Sequence, residues 1–280
     1  MLTRRFLASC RAFSLIELLV VVSIVALLIG ILMPALSMAR TNGVRVKCLT
    51  NLQAIGQAFQ TYASDDGSGY LIPVHALAEG HGWRYDGEYE YGGVNPSEGG
   101  VVGGIYSGPF GPSTRPLNKY IYGDVSNLED NKLFRCPGDV GLPDAPKIFD
   151  PALPAGVPII GMTGTSYRVN NHIKMYTSQY FHGPYMRPGT RVPESSTTVL
   201  LAETIAQVAI YNPPPYIAPG WHLRPMNYNV TFADGHSDTI SIRGGNEPNP
   251  ATSYWGDYWI FRGENWRLDC WPEARIYDKP

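Results

Sequence analysis

Apolar residues are distributed along this chain in three ways, and each way predicts a different element. From Phe13 to Met33 the sequence reads FSLIELLVVVSIVALLIGILM, 21 residues with Glu17 as the one charge. A helix of that length is about 31 Å long and matches the hydrocarbon core of a bilayer. Its β-branched residues are no obstacle, because hydrocarbon forces the backbone to satisfy its own hydrogen bonds. Further on, Leu49, Leu52, Ile55, Phe59 and Tyr62 follow one another in steps of three or four, the spacing of one helix face, with Gln53, Gln57 and Gln60 marking the other. The two patterns predict one helix from Phe13 to Ser64, kinked at Pro34, weakened at Gly43 and stopped by Asp65-Asp66-Gly67-Ser68-Gly69. The third pattern is short. Thr197-Thr198-Val199-Leu200-Leu201-Ala202-Glu203 suits a buried central strand, and Asn229 to Ile240 reads as strand, tight Asp-Gly turn, strand. The fold class expected is α+β: a long N-terminal helix packed on a loop-rich antiparallel sheet head over 65–280.

Composition narrows the function. Charged residues are 16% of the 280, too few for a solvated disordered chain. The 30 Gly and 24 Pro follow no Gly-X-Y period, so they mean turns rather than collagen. A formal net charge of −2, without a basic-aromatic stripe, gives no electrostatic case for nucleic acid as the main partner. Four cysteines are too few for a disulfide scaffold and too widely spaced for a zinc finger. No nucleophile elbow or P-loop occurs, so nothing marks an enzyme.

Arg4, Arg5 and Arg11 precede the apolar run, and no acidic residue comes before Glu17. The positive-inside rule then keeps the N-terminus in the cytoplasm and exports the rest. A secretory signal peptide would have a shorter apolar core and a better cleavage site after it. An ordinary anchor explains the length but not Glu17, since an ionisable group in a membrane span is costly and usually functional. Arg11-Ala12-Phe13-Ser14-Leu15-Ile16-Glu17 resembles the signal of type IV prepilins and type II secretion pseudopilins. In that family a prepilin peptidase cuts before the apolar run and methylates the new N-terminal Phe, and an acidic residue stands fifth in the mature chain. The resemblance implies a cleaved leader 1–12, cleavage between Ala12 and Phe13, N-methylation of Phe13, and a transmembrane segment 13–33. Ala12 stands where the family usually has Gly. It also implies that Glu17 guides assembly, its carboxylate pairing with the Phe13 amine of a neighbouring subunit.

The resemblance continues along the helix. Pro34 to Arg40, Cys48 to Gly56, Tyr62 and Asp66-Gly67 are similar to a large group of bacterial pilin-like proteins whose head ends in an Asp-Gly motif. In the head, Cys136-Pro137-Gly138-Asp139 resembles that group's Cys-Pro-x-Asp turn, and Ser166-Tyr167-Arg168-Val169-Asn170 its Ser-Tyr-x-x-Asn strand. Members often carry a His separated from the Asp-Gly by nine residues. Here Arg224 holds that place and His222 lies two residues earlier.

Several side chains in the head invite chemistry. Asp234 and Asp238 with nearby backbone could hold Ca²⁺, although the Asp-Gly turn alone accounts for the first. Apart from this Ca²⁺ reading, no cofactor is expected. His222 and His236 flank one strand, but no Cys or further His stands near them at ligand spacing. With Cys10 in the leader, Cys48, Cys136 and Cys270 remain. Cys48 lies on the apolar stripe, and a Cys48–Cys136 disulfide would tie helix to head. Cys270 is the rival partner, and small buried thiols are the alternative. Tyr254 to Trp271 holds four Trp, two Tyr and one Phe. Packing on the sheet is its plain reading and stacking on polysaccharide its sharper one.

These readings predict a pseudopilin-like structural subunit, single-pass in the inner membrane, with its head in the periplasm or a surface filament. Its partners would be the prepilin peptidase and other pilin-like subunits, bound through the N-terminal helix. The alternative is a membrane-anchored carbohydrate-binding module built on the aromatic C-terminal region.

Overall fold

The structure is a computed structural model that describes residues 14–73, 89, 91–94, 111–123, 132–142, 156–170, 188–192, 195–206, 220–222, 225 and 227–241. Helix α1 runs from Leu15 to Asp65 and continues through Pro34 and Gly43. Two short helices come next, α2 (Asn118–Tyr122) and α3 (Ile159–Thr163), and four strands: β1 (Tyr167–Val169), β2 (Val199–Glu203), β3 (Asn227–Phe232) and β4 (Ser237–Ser241). The strands form one antiparallel sheet in the order β1-β2-β3-β4, the α+β arrangement expected from sequence. The chain divides into two compact units, Met1–Gly43 and Val44–Pro280.

In the first unit every residue from Ser14 to Arg40 is exposed. Leu15, Ile16, Leu27, Ile31 and Met38 are all exposed, as are the apolar residues between them. A helix that is apolar on every side is at home in hydrocarbon, not water. Its length and composition suffice to cross a membrane.

In the second unit the later turns of α1 bury Cys48, Asn51, Leu52, Ile55, Gly56, Ala58 and Phe59, and Tyr62 packs at the edge of the core. Phe59 lies 5.3 Å from the ring of Tyr91, which in turn meets Phe134 edge-on at 5.9 Å. Gln53 and Gln57 face solvent, as their spacing predicts, but Gln60 does not. Its amide donates to the Ala233 carbonyl at 2.7 Å and ties the helix to the β3–β4 turn. Gly56 explains how closely helix and sheet approach. A Cβ there would lie 2.5 Å from Thr231 Cγ2 and 3.3 Å from the Gly235 carbonyl oxygen.

β2 is buried along its whole length, and a register shift between Val199 and Leu201 leaves Leu200 as the extra residue of a bulge. β3 alternates polar Asn227, Asn229 and Thr231 with apolar Tyr228, Val230 and Phe232. Its polar side is nevertheless covered. Asn229 Nδ2 donates to the Arg45 carbonyl at 3.2 Å and Thr231 Oγ1 to the Leu52 carbonyl at 3.1 Å.

The hairpin at Asp234-Gly235 differs in detail from the two-residue turn that the dipeptide suggests. Phe232 N donates to the His236 carbonyl at 2.8 Å and Gly235 N to the Phe232 carbonyl at 2.9 Å. The loop is therefore three residues, Ala233-Asp234-Gly235, with Gly235 at φ 93° as its left-handed closing residue. Such a loop needs positive φ at one position only, where Gly stands.

Candidate functional site

Among the described residues two places carry chemistry, one in each unit. The first is the start of α1. Ser14 Oγ accepts from Glu17 N at 3.2 Å, and Glu17 Oε2 accepts from Ser14 N at 2.9 Å. This reciprocal pair is a capping box, which satisfies two of the amide groups that the first helical turn leaves without partners. Sequence reasoning treated Glu17 as an intermolecular group and missed this local role, although Ser-x-x-Glu is its signature. A carboxylate can accept several hydrogen bonds, so the cap leaves capacity for a cationic partner. Ala12 and Phe13 lie outside the described residues, as do Cys10, Arg224, Cys270 and the aromatic stretch Tyr254–Trp271.

At the other end of α1, Asp66 arrests the chain. Its Oδ2 accepts from the Ser68 hydroxyl, from Ser68 N at 3.1 Å and from Tyr70 N at 3.2 Å. These bonds, the Ser68 hydroxyl foremost, hold the carboxyl below its ordinary range. Burial, assisted by the Asp66 carboxylate, pushes the neighbouring Tyr62 phenol up to about 12.

The second place lies inside the head. The Cys136-Pro137-Gly138-Asp139 segment is a turn closed by Asp139 N donating to the Cys136 carbonyl at 2.9 Å. Asp139 organises the elements on either side of it. Its carboxylate accepts from Ile159 N at 2.9 Å and Ile160 N at 3.0 Å, the open amides at the start of α3, and from Ser166 Oγ at 2.6 Å. The Ser-Tyr-x-x-Asn motif forms β1, and its Asn170 is tied to the Val199 and Leu200 carbonyls of β2. The turn presents Cys136 to α1, where Cys48 and Cys136 are disulfide-bonded with Cα atoms 5.1 Å apart.

His222 and Glu203 stand beside that sulfur pair. His222 Nε2 lies 2.6 Å from Glu203 Oε1 and 3.7 Å from Cys136 Sγ, and Glu203 Oε1 lies 3.9 Å from Cys136 Sγ. Asn229 holds the carboxylate from the other side, its Nδ2 donating to Oε1 at 3.0 Å and its N to Oε2 at 3.2 Å. All four side chains are buried. The sequence placed no Cys near His222 because Cys136 is 86 residues away. Glu203 also passed unnoticed, although a carboxylate that ends an apolar buried run is itself a signal.

Asp234, Asp238, His222 and His236 have separate fates. Asp234 caps its own loop, accepting from His236 N at 3.1 Å and pairing with His236 Nδ1 at 2.5 Å, while the imidazole stacks on Phe232. Asp238 Oδ1 accepts from Thr239 N at 2.7 Å. His236 and both carboxylates are exposed, whereas His222 is buried. Among the described residues, Cys48, Cys136, Glu203 and His222 form the one group of three or more ligand-type side chains close enough to hold a metal.

No curated protein and no solved structure matches this chain. The sequence pattern described as the prokaryotic N-terminal methylation motif matches residues 7–33, which take in Ala12, Phe13 and the apolar run. That motif, the long helix that it opens and the antiparallel sheet behind it support a type IV pilin-like protein, membrane-anchored by one helix and processed by a prepilin peptidase.

Proposed function

We propose that the chain is a pseudopilin-like structural subunit of a type II secretion or pilus-like filament rather than an enzyme. The peptidase cuts between Ala12 and Phe13 and methylates the Phe13 amine. The mature helix anchors the subunit in the inner membrane with its head exported, and then packs among the helices of other subunits. The match of the methylation motif to residues 7–33, which take in the first turns of a helix apolar on all sides, carries this reading. Glu17 is the residue that makes it specific. In a bundle of apolar helices its carboxylate gives the cationic amine of a neighbouring Phe13 a partner, and an unpaired charge there costs several kcal/mol.

Two measurements test this. Intact-mass and N-terminal peptide analysis of protein from its native host should find a chain that begins at methylated Phe13. A start at Met1, or one beyond Met33, overturns the processing scheme. Glu17→Ala should insert into membranes as the parent does, because the span becomes more apolar, yet lose cross-linking between subunits. Glu17→Asp should fall between, keeping the charge but not the reach. Equal cross-linking by Glu17→Ala and the parent would reduce Glu17 to its capping box. The aromatic run Tyr254–Trp271 favours a second reading, a carbohydrate-binding head, and glycan-array binding by the protein in detergent separates the two.

A further inference from the structure

We propose that Cys48, Cys136, Glu203 and His222 form a binding site for a thiophilic divalent cation of zinc's chemistry, open to the dithiol form of the chain and closed by the Cys48–Cys136 disulfide. The inference is independent of filament assembly. It starts from an oddity of the core. A disulfide needs no ionisable neighbours, yet a buried carboxylate and a buried imidazole both lie within 4 Å of Cys136 Sγ. Keeping such groups out of water is costly unless something specific pairs with them.

The geometry is that of a ligand set. One donor atom from each of the four side chains lies within 4.8 Å of all the others. A tetrahedral zinc with bonds of about 2.3 Å to sulfur and about 2.0 Å to nitrogen or oxygen separates a sulfur from its N or O neighbours by about 3.5 Å. Cys136 Sγ stands 3.7 Å from His222 Nε2 and 3.9 Å from Glu203 Oε1. The 2.6 Å contact between His222 and Glu203 is hydrogen-bond distance, and a cation that takes the place of that bond pushes the two atoms apart. The two cysteine Cα atoms, 5.1 Å apart, leave the thiolates free to turn onto one ion.

The surroundings serve the same end. Asn229 donates to both oxygens of Glu203, the outer support that orients a ligating carboxylate and spreads its charge. Two thiolates and a carboxylate carry three negative charges against the ion's two, so these donors face the excess. Gly138 lets the turn that delivers Cys136 close onto His222. A Cβ there would lie 3.0 Å from the Trp221 carbonyl oxygen and 3.1 Å from His222 Cε1.

The chain is synthesised as the dithiol, so occupancy needs no reductant. Closure needs an oxidant of the disulfide class. The two cysteine thiolates give up two electrons and form the Cys48–Cys136 bond. The oxidant's S–S bond breaks, its two sulfurs take up those electrons and two protons from solvent as thiols, and the divalent ion leaves.

Full-length protein in detergent, with Cys10→Ser and Cys270→Ser so that only Cys48 and Cys136 remain as thiols, tests this. After anaerobic reduction by a phosphine it is titrated with Co²⁺. One Co²⁺ per chain should bind, with thiolate-to-cobalt charge-transfer bands and the visible bands of tetrahedral cobalt, and an equivalent of Zn²⁺ should bleach them. The oxidised protein should bind none. Asn229→Ala should weaken binding about 10–100-fold, and Glu203→Gln and His222→Gln should weaken it more. In the reduced chain without these last substitutions, Zn²⁺ should raise the Tm. No cobalt spectrum, no shift in Tm, or a spectrum that survives both Glu203→Gln and His222→Gln would overturn the proposal.

Discussion

The two ends of α1 are the same secondary structure built for different solvents. From Leu15 to Met38 the apolar side chains point in every direction and remain exposed. From Cys48 to Phe59 they are confined to one side, where they enter the core of the head, while Gln53 and Gln57 stay in water. Helix propensity does not distinguish the halves. What differs is whether the apolar surface forms a ring or a stripe, and that determines whether lipid and neighbouring helices or the chain's own sheet will cover it. Even the polar residues obey this division. Glu17 caps the helix end that enters the apolar stretch, whereas Asn51 is buried and donates to the Lys132 and Arg135 carbonyls of the head.

Truncation gives the largest test of this contrast. A chain starting at Arg40 retains the stripe and should yield a soluble, cooperatively folded head. A chain starting at Asp66 loses Leu52, Ile55 and Phe59, each buried completely. At about 1.5–3 kcal/mol for each buried side chain, that loss rivals the 5–15 kcal/mol or so that holds a typical domain together. Equal thermal unfolding of the two chains would reject the packing.

Single substitutions sharpen the comparison. Phe59→Ala should destabilise the head by about 3–5 kcal/mol in denaturant unfolding. Leu27→Ala, the same kind of truncation on the exposed part of the helix, should leave that curve where it was. A shift of similar size from Leu27→Ala would mean that the apolar ring has a partner within the head. Gly56→Val should cost about 1–3 kcal/mol through overpacking against Thr231, while Gly30→Val, with nothing within 4 Å of a new Cβ, should cost the head nothing.

The smallest effect lies in the turn where the stripe ends. The Asp66 carboxyl is held below its ordinary value of 3.8 in the folded chain. The unfolded chain therefore takes up the proton first as pH falls. The contribution of Asp66 is complete above the ordinary carboxylate range and disappears as pH drops through its lowered folded value. Exposure to solvent keeps it small. Asp66→Asn should lower the Tm slightly at neutral pH and converge with the parent in acid. A difference that persists unchanged in acid would assign the effect to lost hydrogen-bond geometry rather than to charge.

Much of this was legible in the residues because it depends on local period and composition. The apolar ring, the stripe through Leu52, Ile55 and Phe59, the buried run of β2 and the hairpin around Asp234-Gly235 each lie within a few turns or strand residues of chain. The form of the hairpin was less legible, because Asp-Gly suits both two- and three-residue loops. The choice is made by Phe232 and His236, which pair across the turn and stack.

The sequence by itself determined which part of the chain belongs in a membrane, which face of the helix seeks a core and where the strands run. Apolar period and length dictate these wherever the chain is placed. Only the tertiary structure decided what covers the polar side of β3, where Asn229 and Thr231 reach helix carbonyls instead of water. It alone gathered Cys48, Cys136, Glu203 and His222 around one point. The first and last of those four residues are 174 positions apart in the chain, and no local pattern encodes a meeting that depends on a helix, a turn and a strand end packing into the same core.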